Sequence, residues 1–210
     1  MTVLIRGIYT SSVNRYVTRP IGPYSRGAVS IQAWDPRVGT VAERVIALIS
    51  DRRPDLVVEH IGSTAVPGLP GKGIVDLGAE ADQADIPAIT EAMYELGFGP
   101  QPGPDAWPPT RPMHVGSFDL DGRTFLVHFH VHPRRGDLPQ DLMFRDALRA
   151  DPGLAAEYAR VKADVVAGAE GPLDRLVYQE AKGDWIVKAY DRLGIPRPEP
   201  PATALKGSGS

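Results

Sequence analysis

Residues 60–77 read HIGSTAVPGLPGKGIVDL, and no other stretch of the chain is as informative. The small residues Gly62, Ser63 and Thr64 lie between two apolar runs that are typical of strands, and the second run carries the carboxylate of Asp76. A glycine lets the backbone come close to a ligand, and serine and threonine supply the N–H and hydroxyl groups that hold phosphate oxygens. A carboxylate on the next strand is the hard oxygen ligand that Mg²⁺ takes beside such phosphates. The stretch therefore predicts a pocket for a nucleoside triphosphate and a divalent metal ion.

The rest of the chain predicts strands first and helices afterwards. Strands are expected at 56–61, 74–79, 113–120 and 123–132, the first two antiparallel and the last two joined by Asp121-Gly122. Helices are expected at 41–50 (with Thr40 as N-cap), 87–96, 138–150, 153–167 and 173–193, and the Pro-rich stretch 99–112 is expected to lack regular structure. Helices that cluster after the strands indicate an α+β fold. We expect an N-terminal extension at 1–30, one domain at 31–194 and a Pro-rich tail at 195–210 that ends like a linker or tag remnant.

Composition limits the class of protein. The chain has 210 residues, of which 42% are hydrophobic and 23% are charged, the usual balance of a globular protein. The net charge of −3 does not favour nucleic acid as a partner, and the absence of cysteine excludes disulfides and thiolate metal sites. No apolar run approaches the roughly 20 residues of a membrane span, and no signal peptide is recognisable, so we expect a cytoplasmic protein without a membrane partner. The oligomeric state is left open.

The long pattern resembles the GrpB family within the nucleotidyltransferase-fold superfamily. The resemblance covers roughly residues 31–193 and is carried by 60–76, Phe144-Arg145-Asp146, Tyr158, Lys162, Tyr178 and Lys182. It implies a nucleotidyltransferase-like mixed β-sheet flanked by helices, with a C-terminal helical segment. It also implies ATP- or NTP-dependent nucleotidyl transfer to a small-molecule acceptor, with Mg²⁺ or Mn²⁺ as cofactor. If the acceptor is a carboxylate, an acyl-adenylate forms, and an amine can capture it to give an amide.

The predicted metal site departs from that family pattern. Active nucleotidyltransferases usually carry a second acid two residues after the first, where this chain has Gly78, and Glu80 is the next residue on the same face of the strand. His128, His130 and His132 alternate with apolar residues and are expected to share one face of their strand. Asp76, His128, His130 and Glu80 are therefore the candidate metal ligands, and Asp76 and His130 the candidate catalytic residues. His130 is alternatively a general base, and the histidines are alternatively bonded only to backbone or water.

The candidate nucleotide-binding residues, besides Gly62, Ser63 and Thr64, are four cations. The resemblance favours Lys162 and Lys182 as phosphate contacts, and Lys72 and Arg145 are suited to balance phosphate charge. Each has a simpler alternative: a solvated loop lysine, a salt bridge of Arg145 to Asp141 or Asp146, and lysines that extend past core tyrosines. His60 is expected to brace the loop, and Trp107 is a candidate lid residue.

Two further functions compete with nucleotidyl transfer. The first is a non-catalytic nucleotide-binding module that has kept the fold without its second acid. The second is a metal-dependent hydrolase that uses His128 and His130.

Overall fold

A computed structural model of the chain describes residues 19–25, 27, 29–103, 106–168 and 175–197. For residues 175–177 it describes the backbone alone. Five strands form one sheet: β1 (Glu59–Ile61), β2 (Val75–Ala81), β3 (Gly99–Pro100), β4 (Met113–Leu120) and β5 (Arg123–Pro133). The helices are α1 (Arg37–Arg52), α2 (Ile86–Leu96), α3 (Leu138–Ala150), α4 (Pro152–Ala167) and α5 (Arg175–Leu193). The strand order is β1-β2-β5-β4-β3, with β2 and β5 parallel and the other pairs antiparallel. The predicted α+β fold with a mixed sheet and a C-terminal helical segment is confirmed.

The two faces of the sheet carry different chemistry. Residues at odd positions of the central strands, such as Val75, Leu77, Val127 and Phe129, are buried in one core with α1 and α2. Successive residues of a strand point to opposite faces, so residues at even positions face away from this core. The parallel register pairs Asp76 with His128, Gly78 with His130 and Glu80 with His132. One polar stripe therefore crosses the centre of the sheet, as the alternating histidines predict.

A second core lies on the polar side of the sheet. Phe144 of α3 packs with Tyr158 of α4 and Tyr190 of α5, and Val66 and Leu69 of the loop after β1 join them. The helical segment thus holds the loop that follows β1 and faces the polar stripe, which leaves a pocket between them.

Several predicted boundaries are wrong. Helix α1 begins at Arg37 and not after Thr40, because the Asp35 carboxylate accepts a hydrogen bond from the Arg37 backbone N–H at 3.0 Å and starts the helix earlier. Strand β1 is limited to its last three residues; Val57 ahead of it is 76% exposed. Strand β2 runs two residues further than predicted, and the stretch expected to be irregular contains the short strand β3.

The predicted hairpin between β4 and β5 is confirmed. Asp121 and Gly122 have φ values of 48° and 73°, the combination that a two-residue type I′ turn requires at both of its central positions.

Part of the predicted N-terminal extension packs against the domain. Ile21 is buried in the core, and Gly22 forms a backbone bridge with Ser117 of β4. Residues 1–18 and 198–210 lie outside the described residues, and the predicted domain limits stay predictions. Among the described helices, none combines the length and apolar character that crossing a membrane requires.

Candidate functional site

A cavity of about 520 Å³ lies between the polar face of the sheet, the turn after β1 and helices α3 to α5. Its lining includes most of the predicted site residues: Gly62, Ser63, Thr64, Lys72, Asp76, His128, His130, Arg145 and Lys182. Lys162 contacts the cavity wall through Ser63. Among the described lining residues Glu80 does not appear.

The turn after β1 depends on Gly62. Its φ is 72°, a value that favours glycine, and a 3-10 helix, Ser63–Ala65, follows it. A Cβ at this position would lie 2.8 Å from Oδ2 of Asp76. The absence of a side chain therefore lets the backbone close over the Asp76 carboxylate, and the predicted close approach of Gly62 to a ligand stays a prediction.

Thr64 and His60 hold this turn from within. The Thr64 hydroxyl donates to the carbonyl oxygen of Ile74 at 3.0 Å and lies 3.0 Å from Nε2 of His60, which donates to it. Burial lowers the pKa of His60 to about 4, so the ring is neutral at physiological pH. The Trp34 ring N–H donates to the Thr64 carbonyl at 3.1 Å, a brace that sequence reasoning missed. The side chain of Thr64 is thus engaged by protein, and His60 braces the loop.

Asp76 meets two of the three histidines. Its Oδ1 lies 3.1 Å from Nδ1 of His128 and 3.4 Å from Nε2 of His130. Burial alone would raise the pKa of Asp76, but the hydrogen bonds and the positive potential of both histidines outweigh burial and hold that pKa well below its usual range. The hydroxyl of Tyr24 lies 3.0 Å from Nε2, the other ring nitrogen of His128. The structure therefore brings together three of the four predicted metal ligands.

A side chain at position 78, where the second acid is expected, would be crowded. A Cβ at Gly78 would lie 2.8 Å from Cδ1 of Leu138 and 3.1 Å from Cδ1 of Ile61. The donor set at the centre of the sheet is therefore one carboxylate and two imidazoles. Mg²⁺ prefers oxygen ligands throughout, so these three side chains do not form the all-oxygen site that the fold resemblance implies.

His132 belongs to a separate cluster that sequence reasoning missed. The Nδ1 atom of His132 lies 2.7 Å from Oδ1 of Asp137, whose Oδ2 accepts from Arg111 at 2.5 Å. The Nε2 atom of His132 lies 4.0 Å from Oδ2 of Asp141. Burial would raise the pKa of Asp137, but the bond to His132 and the charge of Arg111 lower it to about 2. Burial raises the pKa of Asp141 to about 6. In the sequence, Asp137 lies directly before a predicted helix and Asp141 lies one turn later. This spacing could have indicated that the two carboxylates are neighbours.

Lys162 bonds to Ser63 at the wall of the cavity, and Lys72 and Lys182 line the same cavity. The Lys162 Nζ donates to Ser63 Oγ at 3.1 Å and to the Pro70 carbonyl, and lies 4.6 Å above the Tyr158 ring. Burial, together with the positive charges of Lys182 and Lys72, lowers the pKa of Lys162 to about 7. A buried amine beside two other cations is a site suited to an anion.

Arg145 is engaged with other side chains. Its Nη1 donates to Glu59 Oε2 and to the His60 carbonyl, both at 3.0 Å, and its Nε donates to Asp146 at 2.8 Å. The salt bridge to Asp146 is one of the alternatives that the sequence left open. Arg145 ties α3 to β1 and so positions the turn.

Trp107 lies at the rim of the cavity. It is 40% exposed, its ring lies under the Arg111 guanidinium at 4.3 Å, and it meets the edge of His130 at 6.5 Å. This position suits the predicted lid residue.

The model of the GrpB protein family matches residues 28–192, most of the chain. The chain belongs to the GrpB family. Among curated relatives, the UPF0157 protein SCO7215 of Streptomyces coelicolor is 37% identical over 152 residues, which are 68% of this chain and 72% of that protein. UPF0157 protein YqkA of Bacillus subtilis is 30% identical over 140 residues, 66% of this chain and 39% of YqkA. The dephospho-CoA kinase of Mycobacterium tuberculosis is 30% identical over 191 residues, 80% of this chain and 46% of the kinase. The chain thus spans less than half of the last two relatives.

A solved structure of a GrpB protein supports the fold. The GrpB protein of Enterococcus faecalis matches with a TM-score of 0.53 at 20% identity, over 75% of this chain and 99% of that one. The Cid1 poly(U) polymerase with MgGTP matches with a TM-score of 0.46 at 16% identity, over 63% of this chain and 44% of that one. At that score the likeness says nothing about activity.

Proposed function

We propose that this GrpB protein binds a nucleoside triphosphate in the cavity and transfers its nucleotidyl group to a small-molecule acceptor. One observation carries the proposal. Ser63, on the turn that closes over Asp76, bonds to Lys162, and Lys72 and Lys182 are close enough to lower the pKa of that lysine. Ser63, Lys72 and Lys182, here called the cationic end, line the cavity. The same cavity is lined by Asp76, His128 and His130, the proposed metal ligands, which supports the proposal.

The cationic end suits a polyphosphate. In the free protein, burial and two like charges disfavour the protonated form of Lys162. A triphosphate bound in the cavity supplies negative charge that offsets the mutual repulsion of these amines. Charge-assisted hydrogen bonds of this kind are about twice as strong as neutral ones.

The same arrangement can assist the reaction. The acceptor attacks the α-phosphorus, the bond between the α-phosphorus and the bridging oxygen breaks, and pyrophosphate leaves with its electron pair. Lys72, Lys162 and Lys182 stabilise the charge that develops on the leaving pyrophosphate, which is the main electrostatic task in such a transfer. With a carboxylate acceptor the product is an acyl-adenylate, and an amine that attacks it releases the nucleoside monophosphate and leaves an amide.

A second candidate function is nucleotide binding without transfer. The glycine at position 78 favours it, because Asp76 is the one carboxylate of β2 among the described lining residues of the cavity, and two-metal catalysis needs more. A metal-dependent hydrolase is the third candidate, favoured by the pair His128 and His130 beside Asp76.

A pyrophosphate-release screen distinguishes these functions. The four nucleoside triphosphates are each incubated with Mg²⁺ or Mn²⁺ and pooled carboxylic acids, amines and alcohols, and the nucleotide affinities are measured by calorimetry. Acceptor-dependent release that Asp76→Ala abolishes supports transfer, and an Asp82→Asn protein, changed at an exposed carboxylate paired with Arg134, serves as the matched control.

The other outcomes decide against transfer. Nucleotide binding without release identifies the binding module, and phosphate release to water without an acceptor identifies the hydrolase. Release that survives in Asp76→Ala contradicts the proposed site, and no nucleotide binding at all contradicts the proposal.

A further inference from the structure

We propose that Asp76, His128 and His130 bind one divalent first-row transition metal ion that favours imidazole ligands, such as Co²⁺ or Zn²⁺, in preference to Mg²⁺. The ion would lie in the cavity of the proposed function and deepens that proposal by naming its metal. The binding itself needs no nucleotide, so it can be tested alone.

The spacing of the three donor atoms fits one ion. Asp76 Oδ1 is 3.1 Å from His128 Nδ1 and 3.4 Å from His130 Nε2, and all three atoms lie within 4.8 Å of one another. Ligand atoms at about 2.1 Å from a common ion, at right or tetrahedral angles, are about 3.0–3.4 Å apart. The two distances to Asp76 Oδ1 match this range, and the two histidine nitrogens, within 4.8 Å of each other, need to move by at most about 1.4 Å to reach it.

The donor types favour a transition metal. Two imidazoles and one carboxylate match the set that binds first-row transition ions on one face and leaves the other positions open. Mg²⁺ is smaller and demands nearly ideal octahedral oxygen coordination, so two nitrogen donors are a poor match for it. Gly78, two residues after Asp76, supplies no oxygen ligand that would shift this preference back to Mg²⁺.

The surroundings orient the ligands in the way that metal sites require. Metal-bound histidines usually bond to a partner through their other ring nitrogen, which fixes the ring and its tautomer. The Tyr24 hydroxyl occupies that place on His128, 3.0 Å from Nε2, while Nδ1 faces Asp76. Gly62 lies against the second oxygen of the Asp76 carboxylate, and the backbone there leaves Oδ1 directed at the histidines.

The open positions of the ion would face the cavity. Asp76, His128 and His130 all line it, together with Ser63 of the cationic end. A phosphate oxygen or a water can therefore complete the coordination, as at metal sites that keep positions for substrate.

The experiment measures metal binding in the absence of nucleotide. Chelator-treated full-length protein is dialysed against Mn²⁺, Co²⁺, Zn²⁺ or Mg²⁺, and bound metal is counted by elemental analysis. We expect one equivalent of Co²⁺ or Zn²⁺, held at least about tenfold more tightly than Mg²⁺. The visible absorption of bound Co²⁺ should report nitrogen and oxygen ligands.

Variants identify the ligands. Asp76→Asn and His130→Gln should weaken binding by more than the roughly 10- to 100-fold that is typical of losing a supporting contact, and Tyr24→Phe should fall within that range. Asp82→Asn should bind as the wild type does. Circular dichroism and thermal unfolding of the metal-free proteins show whether each variant is folded. If Asp76→Asn does not fold, the metal affinity of His130→Gln and the Co²⁺ spectrum of the wild type test the proposal.

Three results would overturn the proposal: equal or tighter binding of Mg²⁺, unchanged affinity in the folded His130→Gln protein, or no bound metal in the wild type. The proposed nucleotide function fails separately. A protein that binds the transition metal but no nucleotide contradicts that function alone, and one that binds nucleotide only with Mg²⁺ contradicts the metal assignment alone.

Discussion

At the scale of single residues, Lys162 is the group whose protonation matters most for the cavity. It is 1% exposed, and burial with the two neighbouring lysines lowers its pKa to about 7. Near neutral pH the free protein therefore holds Lys162 in a mixture of charged and neutral forms. A triphosphate favours the charged form, so binding and protonation are linked.

Nucleotide affinity should consequently have a component that falls as the pH rises above about 7. Below this pKa Lys162 already carries its proton, whereas above it the complex must take one up, and affinity falls by up to about tenfold per pH unit. Calorimetry over about two pH units, in buffers of different ionisation enthalpy, measures both the slope and the proton uptake. Lys162→Met should bind more weakly and lose this component, and Lys188→Met, changed at an exposed lysine of α5, should keep it. Equal slopes in wild type and Lys162→Met would refute the linkage.

A buried histidine away from the cavity should control acid stability. His114 is 2% exposed, stacks on Phe129, and neither ring nitrogen has a hydrogen-bond partner among the described residues. Burial lowers its pKa from 6.5 to about 4. The unfolded chain therefore binds a proton as the pH falls below about 6.5 while the folded chain does not, and stability declines down to about pH 4, by about 3 kcal/mol in total.

Denaturant unfolding at several pH values measures how the free energy of unfolding declines with pH. In the His114→Phe protein, the slope of this decline should correspond to one proton fewer taken up on unfolding. His60 has a similarly lowered pKa, so part of the slope should remain. A slope unchanged by His114→Phe would show that His114 titrates alike in both states.

At the scale of elements, two glycines with similar φ values allow the cost of backbone strain to be distinguished from the cost of a steric contact. Gly62 and Gly68 have φ values of 72° and 77°, but a Cβ would meet Asp76 only at the first position and nothing within 4 Å at the second. Gly68→Ala should cost about 1 kcal/mol of unfolding free energy from the backbone alone, and Gly62→Ala clearly more. Gly62→Ala should also weaken metal binding, measured by dialysis, because the turn must move off Asp76. Equal effects of the two changes would mean that the turn does not hold the carboxylate.

Packing against neighbouring side chains should disfavour an acid at position 78 of β2. Gly78→Asp places atoms against Leu138 and Ile61 and should cost about 1–3 kcal/mol of unfolding free energy. Leu138→Ala should relieve this cost, so a double-mutant cycle by denaturant unfolding should show a favourable coupling between the two changes. Additive effects would contradict the claim that Leu138 closes this position.

Sequence patterns predicted the elements with a strong period and missed those that depend on tertiary contacts. The alternation of His128, His130 and His132 was sufficient to place their side chains on one face, because a strand has period two. The predicted start of α1 was wrong because the Asp35 carboxylate accepts a hydrogen bond from the Arg37 N–H. The spacing of the apolar residues does not reveal this contact. The bond between Lys162 and Ser63 joins residues 99 positions apart, so only the resemblance to the family suggested that both lie in one site. The Asp137–His132 pair was missed because a loop turns Asp137 back onto β5.

At the scale of the whole molecule, the segment at residues 19–25 links the core to the cavity. Ile21 is buried beside Gly116, and its backbone N–H donates to the Leu96 carbonyl at 3.0 Å. Gly22 and Ser117 exchange two backbone hydrogen bonds of 2.9 and 3.0 Å, and two residues later Tyr24 reaches His128. Packing on one side of the sheet thus positions a hydroxyl on the other side.

Ile21→Ala should therefore have two effects. Removing this buried side chain should lower the free energy of unfolding by about 2–4 kcal/mol. It should also weaken metal binding, because Tyr24 loses its anchor and His128 loses the bond that orients it. Met93→Ala, in the same core but on α2, should match the loss of stability and leave metal affinity unchanged. If dialysis finds wild-type metal affinity in both proteins, the segment only fills the core; a loss confined to Ile21→Ala means that the N-terminal segment is part of the functional site.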